Sequence, residues 1–226
     1  MSTEEQSVEN KGIDSISNFY DNNKNNITIA GIALIIVAAG IWYYTNQYKP
    51  SVVREANESS FMAMRYAQQD SLSKALNGDG MNLSLKEVAD EFGSTPSGNQ
   101  ATYLAGRALM AEGKFDEALD YLNDASFDDE ILAAMVIALK GDCQSELGNY
   151  SEAGDVYMDA ANKRTNDMTT PYALMKAGVA YEEAGDLSDA LSAYKRLFED
   201  YPDSRQASNS NVEAKIARVE AKIANK

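Results

Sequence analysis

Apolar positions along the chain fall into three regimes. From Ile27 to Tyr44 the sequence ITIAGIALIIVAAGIWYY runs for 18 residues without a charge. As an α-helix this stretch rises roughly 27 Å, close to the ~30 Å hydrocarbon core of a bilayer. A buried core helix seldom lacks polar residues on every side for so long. Trp42, Tyr43, Tyr44 and Tyr48, followed by Lys49, have the composition of an aromatic interface belt. The pattern predicts one transmembrane anchor over 27–48. A cleaved signal peptide is disfavoured, because 26 mostly polar, acidic residues precede the apolar run where such peptides carry a short positive segment.

In the polar tail, 1–26, Val8, Ile13, Ile16, Phe19 and Tyr20 recur among polar neighbours. That spacing fits a short amphipathic helix on a membrane surface, and it equally fits a solvated tail with scattered apolar residues.

Beyond the anchor, over 51–226, apolar residues recur at helical spacing and no segment alternates as a strand does, so the expected fold is all-α. Three segments align: YLAGRALMAEGKFDEALDYLNDA from Tyr103, ALKGDCQSELGNYSEAGDVYMDA from Ala138, and the equivalent stretch from Met175. Gly106, Gly141 and Gly178 correspond, as do Gly113, Gly148 and Gly185, and both sets step by 35 and then 37 residues. Ala118, Ala153 and Ala190 follow, then Leu122, Tyr157 and Tyr194. Each copy reads as two antiparallel helices, with the second glycine ending the first helix in a left-handed conformation. The alanines mark where the helices come close, the first glycines supply the matching small residue, and the large residue four positions after each alanine shares its face. A single pair cannot bury its apolar face, so the copies must stack into a solenoid.

These are the marks of the tetratricopeptide repeat, and the chain resembles that family over copies at about 99–133, 134–168 and 171–204. The third copy matches most fully, with Gly178, Tyr181, Gly185, Ala190, Tyr194 and Pro202 at consensus positions; the first two carry Leu109 and Gln144 in place of Tyr181 and lack the closing proline. A degenerate copy is expected over 51–98, with one helix in 51–76, a glycine break at NGDG (77–80) and a second helix from Leu83 to Phe92. Its ending, EFGST, mirrors DYPDS at 200–204. Val212, Ile216, Val219 and Ile223 form a narrow stripe, expected to be a capping helix over 206–225 that covers the open end of the solenoid.

The whole layout of polar tail ending in NFYDNNKNN, single span and repeat array resembles the membrane-anchored repeat proteins similar to the ancillary SecYEG translocon subunit of bacterial envelopes. The segments GSTPSGNQATYLAG (93–106) and TTPYALMKAGVAYEEAGD (169–186) resemble Bacteroidota versions. This resemblance implies an inner-membrane protein with its repeat domain in the periplasm. The flanking charges, Lys24 on one side against Lys49 and Arg54 on the other, favour the opposite orientation by a single charge, but long domains translocate largely regardless of such counts. The implied partners are unfolded secretory clients, translocon components and a periplasmic chaperone of the prolyl isomerase type. The implied role is a chaperone-like accessory of protein export, with a structural adaptor of another envelope complex as the alternative.

Composition narrows the chemistry. The chain has 226 residues and a net charge of −15, which repels phosphate backbones and argues against nucleic acid. There is no histidine, the commonest general base and metal ligand, and the single Cys143 can form no intrachain disulfide. Cys143 reads as a small buried residue on a first helix. The run FDDE (127–130) reads as helix-capping acids in preference to a calcium loop, and NGDG lacks the GK[ST] of a phosphate cradle. No catalytic, cofactor or metal residue is expected, so the chain is read as a non-enzyme with no small-molecule substrate.

Binding remains. In tetratricopeptide solenoids the first helices line the concave surface, which transfers here to Gln100, Tyr103, Arg107 and Met110; to Met135, Ala138, Asp142 and Ser145; and to Tyr172, Met175, Val179 and Glu182. The expected partner groove is Tyr103, Arg107, Met110, Met135, Asp142, Tyr172, Met175 and Glu182, apolar with acidic flanks. It lacks the lysine and asparagine set by which some relatives clamp the terminal carboxylate of heat-shock chaperones.

Overall fold

The computed structural model describes residues 3–163, 165–209 and 211–225, with side chains described from Ser17 onward except that of Asn209. The chain divides into two compact units, up to Val52 and from Val53 onward.

The first unit is helical. Helix α1 (Thr3–Tyr43) is followed by a π-helical turn (Tyr44–Tyr48) and then the start of α2 (Lys49–Gln68), most of which belongs to the second unit. The wider turn brings the rings of Tyr44 and Tyr48 into a stack 5.8 Å apart. Polar side chains near it bond back to the backbone: Thr45 Oγ1 donates to the Ile41 carbonyl at 2.8 Å and Asn46 Nδ2 to the Trp42 carbonyl at 3.0 Å. Ile29, Leu34, Ile35, Ile36 and Trp42 are all exposed. Among the described residues one helical run, Ser17–Gln68, is long and apolar enough to cross a membrane. In the amphipathic stretch of the tail, the side chains of Val8, Ile13 and Ile16 lie outside the described ones, while Phe19 and Tyr20 are exposed.

The second unit is an array of helix pairs, and among the described residues it contains no strand. The pairs are α5 (Pro96–Ala111) with α6 (Phe115–Asp124), α7 (Glu130–Glu146) with α8 (Tyr150–Lys163), and α9 (Thr170–Ala184) with α10 (Leu187–Asp200). Each first helix stops in the same way. Gly113, Gly148 and Gly185 take φ of +74°, +82° and +85°, and the next residue donates back to the carbonyl five residues earlier: Lys114 to Leu109, Asn149 to Gln144 and Asp186 to Tyr181, each at 2.9 Å.

Within each pair the first glycine is the seat for a large side chain. A Cβ on Gly106 would come 2.8 Å from Leu122 Cγ, on Gly141 2.6 Å from Tyr157 Cε1, and on Gly178 2.4 Å from Tyr194 Cε1. The alanines Ala118, Ala153 and Ala190 beside them are fully buried. A fourth contact of this kind joins neighbouring pairs: the Tyr181 ring sits on Gly154, and its hydroxyl donates to Asp155 Oδ1 at 2.7 Å. The core of the second and third pairs is thereby one continuous, alanine-rich cluster.

The region before the pairs departs from expectation. The single helix expected in 51–76 is two, because α2 ends at Gln68 and α3 (Leu72–Asn77) starts afresh. Asp70 takes φ +57° and Ser71 donates to the Tyr66 carbonyl at 2.9 Å, the same helix stop without a glycine. NGDG is a turn organised by Asp79, whose carboxylate accepts from the Met81 and Asn82 amides, the Asn82 side chain and the Tyr66 hydroxyl. These bonds hold the Asp79 carboxyl well below the usual range. Helix α4 (Leu85–Phe92) then starts on a capping box between Ser84 and Glu87.

After α10 come a short helix, α11 (Arg205–Asn209), and α12 (Val212–Ala224), which packs on α10. Val212 and Val219 are fully buried and Ile216 packs partly against the core, whereas Ile223 is exposed at the end of the stripe.

Candidate functional site

Helices α7 and α9 border an apolar cleft of about 300 Å³. Ile131, Met135 and Leu139 line it from α7, Tyr172 and Ala173 from α9, Met168 from the loop between the pairs, and Gln206 from α11. Local chemistry sets this face. Asp129 caps α7, its Oδ1 accepting from the amides of Ile131 at 3.0 Å and Leu132 at 2.9 Å, and the four-residue spacing then aligns Ile131, Met135 and Leu139. Asn166 Oδ1 accepts from the amides of Met168 at 2.9 Å and Thr169 at 2.8 Å, a turn that leads into α9 with Pro171 in its first turn. Met135, Met168 and Tyr172 are left exposed around the opening.

One wall of the cleft carries a charge network. Asp142 accepts from the Tyr157 hydroxyl at 2.6 Å and from Lys176 Nζ at 2.5 Å, so α7, α8 and α9 meet at one carboxylate. Lys176 lies 5.5 Å from the Tyr157 ring centre and 5.0 Å from that of Tyr172. Burial alone would lower the Lys176 pKa, but its hydrogen bond to Asp142 and the neighbouring Tyr172 outweigh that and raise it. Burial, reinforced by the bond to Asp142, pushes the Tyr157 phenol up as well. Behind it Cys143 is fully buried, and burial followed by the Asp142 charge moves its thiol to about 11, far from a nucleophile's range.

Of the residues expected to form one groove, Met135, Asp142 and Tyr172 share this cleft, together with Ala138. Arg107 and Gln100 line a separate hollow of about 350 Å³ beside Met64 and Leu72. Tyr103 is half-buried, edge-on to Phe127 at 5.7 Å, with the Arg107 guanidinium 5.8 Å from its ring centre. Met110 is half-buried and lines neither hollow, as is Ser145, while Val179 is exposed. Met175 packs partly against the core.

Both expected acidic flanks are occupied internally. Asp142 serves Tyr157 and Lys176, and Glu182 accepts from Arg218 at 2.7 Å and Lys222 at 2.8 Å, which tie α12 to α9. Although burial would raise the Glu182 carboxyl, these two cations hold it below its ordinary value. Ile131, Leu139, Met168 and Gln206 were not among the expected residues. The first two follow from extending the four-residue spacing of Met135. Met168 stands four residues before Tyr172 but in a loop, which a search confined to helices passes over.

The tetratricopeptide repeat models match residues 84–130, 103–167 and 172–204, together more than half of the chain. A comparison with curated proteins finds no match. Among solved structures, the nearly identical TPR-like repeats of a putative kinesin light chain from Podosopora anserina are 15% identical with a TM-score of 0.54, covering 77% of this chain and 89% of that one. A double mutant of MamA RS-1 is 17% identical with a TM-score of 0.51, over 76% of this chain and 97% of that one. Such identities carry the fold alone. With the glycine seats, the shared helix stops and the matched models in agreement, the chain belongs to the tetratricopeptide repeat family, a protein-protein interaction module.

Proposed function

We propose that this protein is a non-enzymatic, membrane-anchored binding module of the bacterial inner membrane whose repeat domain works in the periplasm beside the protein-export translocon. There it holds emerging polypeptides or recruits a folding factor of the prolyl isomerase class. The observation that carries the reading is the exposed cleft of Met135, Met168 and Tyr172 on an alanine-packed scaffold: unbranched methionines adapt to varied apolar side chains, as a client-holding surface must. The long apolar helical run supports the anchor, and the layout resemblance supports the translocon setting.

The test is recovery of partners from detergent-solubilised membranes with the full chain as bait, together with protease treatment of spheroplasts. Translocon components or secretory chains should be recovered, and external protease should remove 51–226. Recovery of only the folded members of another envelope machine would favour the adaptor role, and a protected repeat domain would reverse the topology.

A further inference from the structure

Beside the apolar cleft lies a second hollow of about 260 Å³, walled by Asp167, Asp200 and Asp203 with Tyr201, Pro202 and Ser204. The two openings are built from the same two chain segments. Asp167 lines the acidic one and the next residue, Met168, the apolar one; Ser204 lines the acidic one and Gln206 the apolar one. Consecutive Cα atoms are about 3.8 Å apart, so the two linings adjoin along both segments.

The charged side chains that line them are carboxylates, with the exposed Arg205 standing between Ser204 and Gln206. Among the described residues no Lys or Arg lines either opening, and no ion pair involves Asp167 or Asp203, both exposed. Asp200 has only Arg196 Nε, at 3.8 Å. Asp142, by contrast, is already matched by Lys176 within the fold. The negative charge open to a partner therefore sits next to the apolar cleft. Among the described residues no group of three or more His, Cys, Asp or Glu side chains is placed to hold a metal ion.

We infer that the paired openings select polypeptide segments in which a large apolar side chain stands within a few residues of a lysine or arginine. The apolar side chain enters between Met135 and Tyr172, where burial supplies the affinity. The cation faces Asp167 and Asp203, where exposed charges supply selectivity and faster encounter more than binding strength. This deepens the proposed client-binding reading and rests on it only in taking a flexible polypeptide as the partner.

The experiment uses the full chain in detergent and fluorescent peptides sharing one frame, with leucine near lysine, glutamine or glutamate, and a fourth carrying serine in place of leucine beside the lysine. The leucine–lysine peptide should bind about tenfold or more tighter than the leucine–glutamate peptide, with the advantage shrinking as salt rises. The exposed double substitution Asp167→Asn with Asp203→Asn should cut that preference to about threefold or less while leaving the leucine–glutamine affinity unchanged. Equal binding of the three leucine peptides, no binding of any, or a preference that survives the double substitution would overturn the inference. So would a serine–lysine peptide that binds as well as leucine–lysine. If peptide selection fails while translocon components are still recovered, the inference falls and the proposed function stands; peptide selection without such recovery separates them the other way.

Discussion

The ring of Tyr157 sits against the backbone at Gly141, and its hydroxyl donates to the carboxylate of the very next residue, Asp142. One side chain thus closes a helix pair through its ring and ties down the cleft wall through its hydroxyl. The same device recurs between pairs, where Tyr181 sits on Gly154 and bonds Asp155. Fold and site therefore share residues in this protein, and a change at a glycine seat reaches the cleft through Asp142 and Lys176.

Gly141→Ala tests the seat. Alanine is the better helix former by roughly 1 kcal/mol. Its Cβ, however, would stand 2.6 Å from a ring that is itself buried and hydrogen-bonded, and overpacking of this kind costs about 1–3 kcal/mol. A net loss of stability, read as a lower urea midpoint, is expected. A midpoint that rises would mean that the ring moves aside freely.

The repeat register was legible in the sequence because each of its causes is local. A glycine that stops a helix and an alanine–large pair four residues apart leave a mark inside one 35-residue copy. The break at Asp70 was not legible, since a non-glycine residue in the left-handed region gives no compositional cue. Nor was the fate of the acidic flanks: the cationic partners of Asp142 and Glu182 lie 34 to 40 residues further along, and only packing brings them together. The Gly154 seat for Tyr181 escaped for a related reason. Leu119 and Leu191 occupy the corresponding positions in the other copies, so the glycine looks like a departure from the repeat when it is the complement of a neighbour.

The link between α9 and α12 should respond asymmetrically. Glu182 is nearly buried, whereas Arg218 and Lys222 are about half exposed. Removing both cations leaves a carboxylate out of water with only the Tyr194 hydroxyl at 3.4 Å, while removing the carboxylate leaves two cations that water can solvate. Arg218→Ala with Lys222→Ala should therefore destabilise by about 1–3 kcal/mol, and Glu182→Gln by less. Thermal unfolding at matched ionic strength compares the two; the reverse order would mean that the cations contribute through packing of α12 alone.

High pH should undo the array through its tyrosines. The phenols of Tyr157, Tyr181 and Tyr194 are all raised, chiefly by burial, and Lys176 shifts the same way. The folded state thus keeps these protons to higher pH than the unfolded chain does. Their contribution is complete below the unfolded tyrosine value of about 10 and is lost as pH rises beyond it. The urea midpoint should be level up to about pH 9 and fall steeply above about pH 10, with tyrosinate absorbance of these rings appearing only as the helical signal disappears. Titration of all the tyrosines in the still-folded protein would contradict the buried placement of these three rings.

The cleft can be separated from the rest of the first-helix surface by two single substitutions. Tyr172 is exposed on the cleft between α7 and α9, so Tyr172→Ala removes partner-facing area and little core. Aromatic anchors at interfaces commonly cost about 2 kcal/mol or more on truncation, and partner affinity should fall by that amount with the helical signal intact. Tyr103 also lies on a first helix, but its ring is half-buried against Phe127 and it does not line the cleft, so Tyr103→Ala should leave partner affinity nearly unchanged and lower the melting temperature instead. Titration of the dominant partner against both variants, with circular dichroism on each, decides the matter. Equal losses would restore one continuous groove across all three pairs, and a loss confined to Tyr103→Ala would move the binding surface to the hollow lined by Arg107.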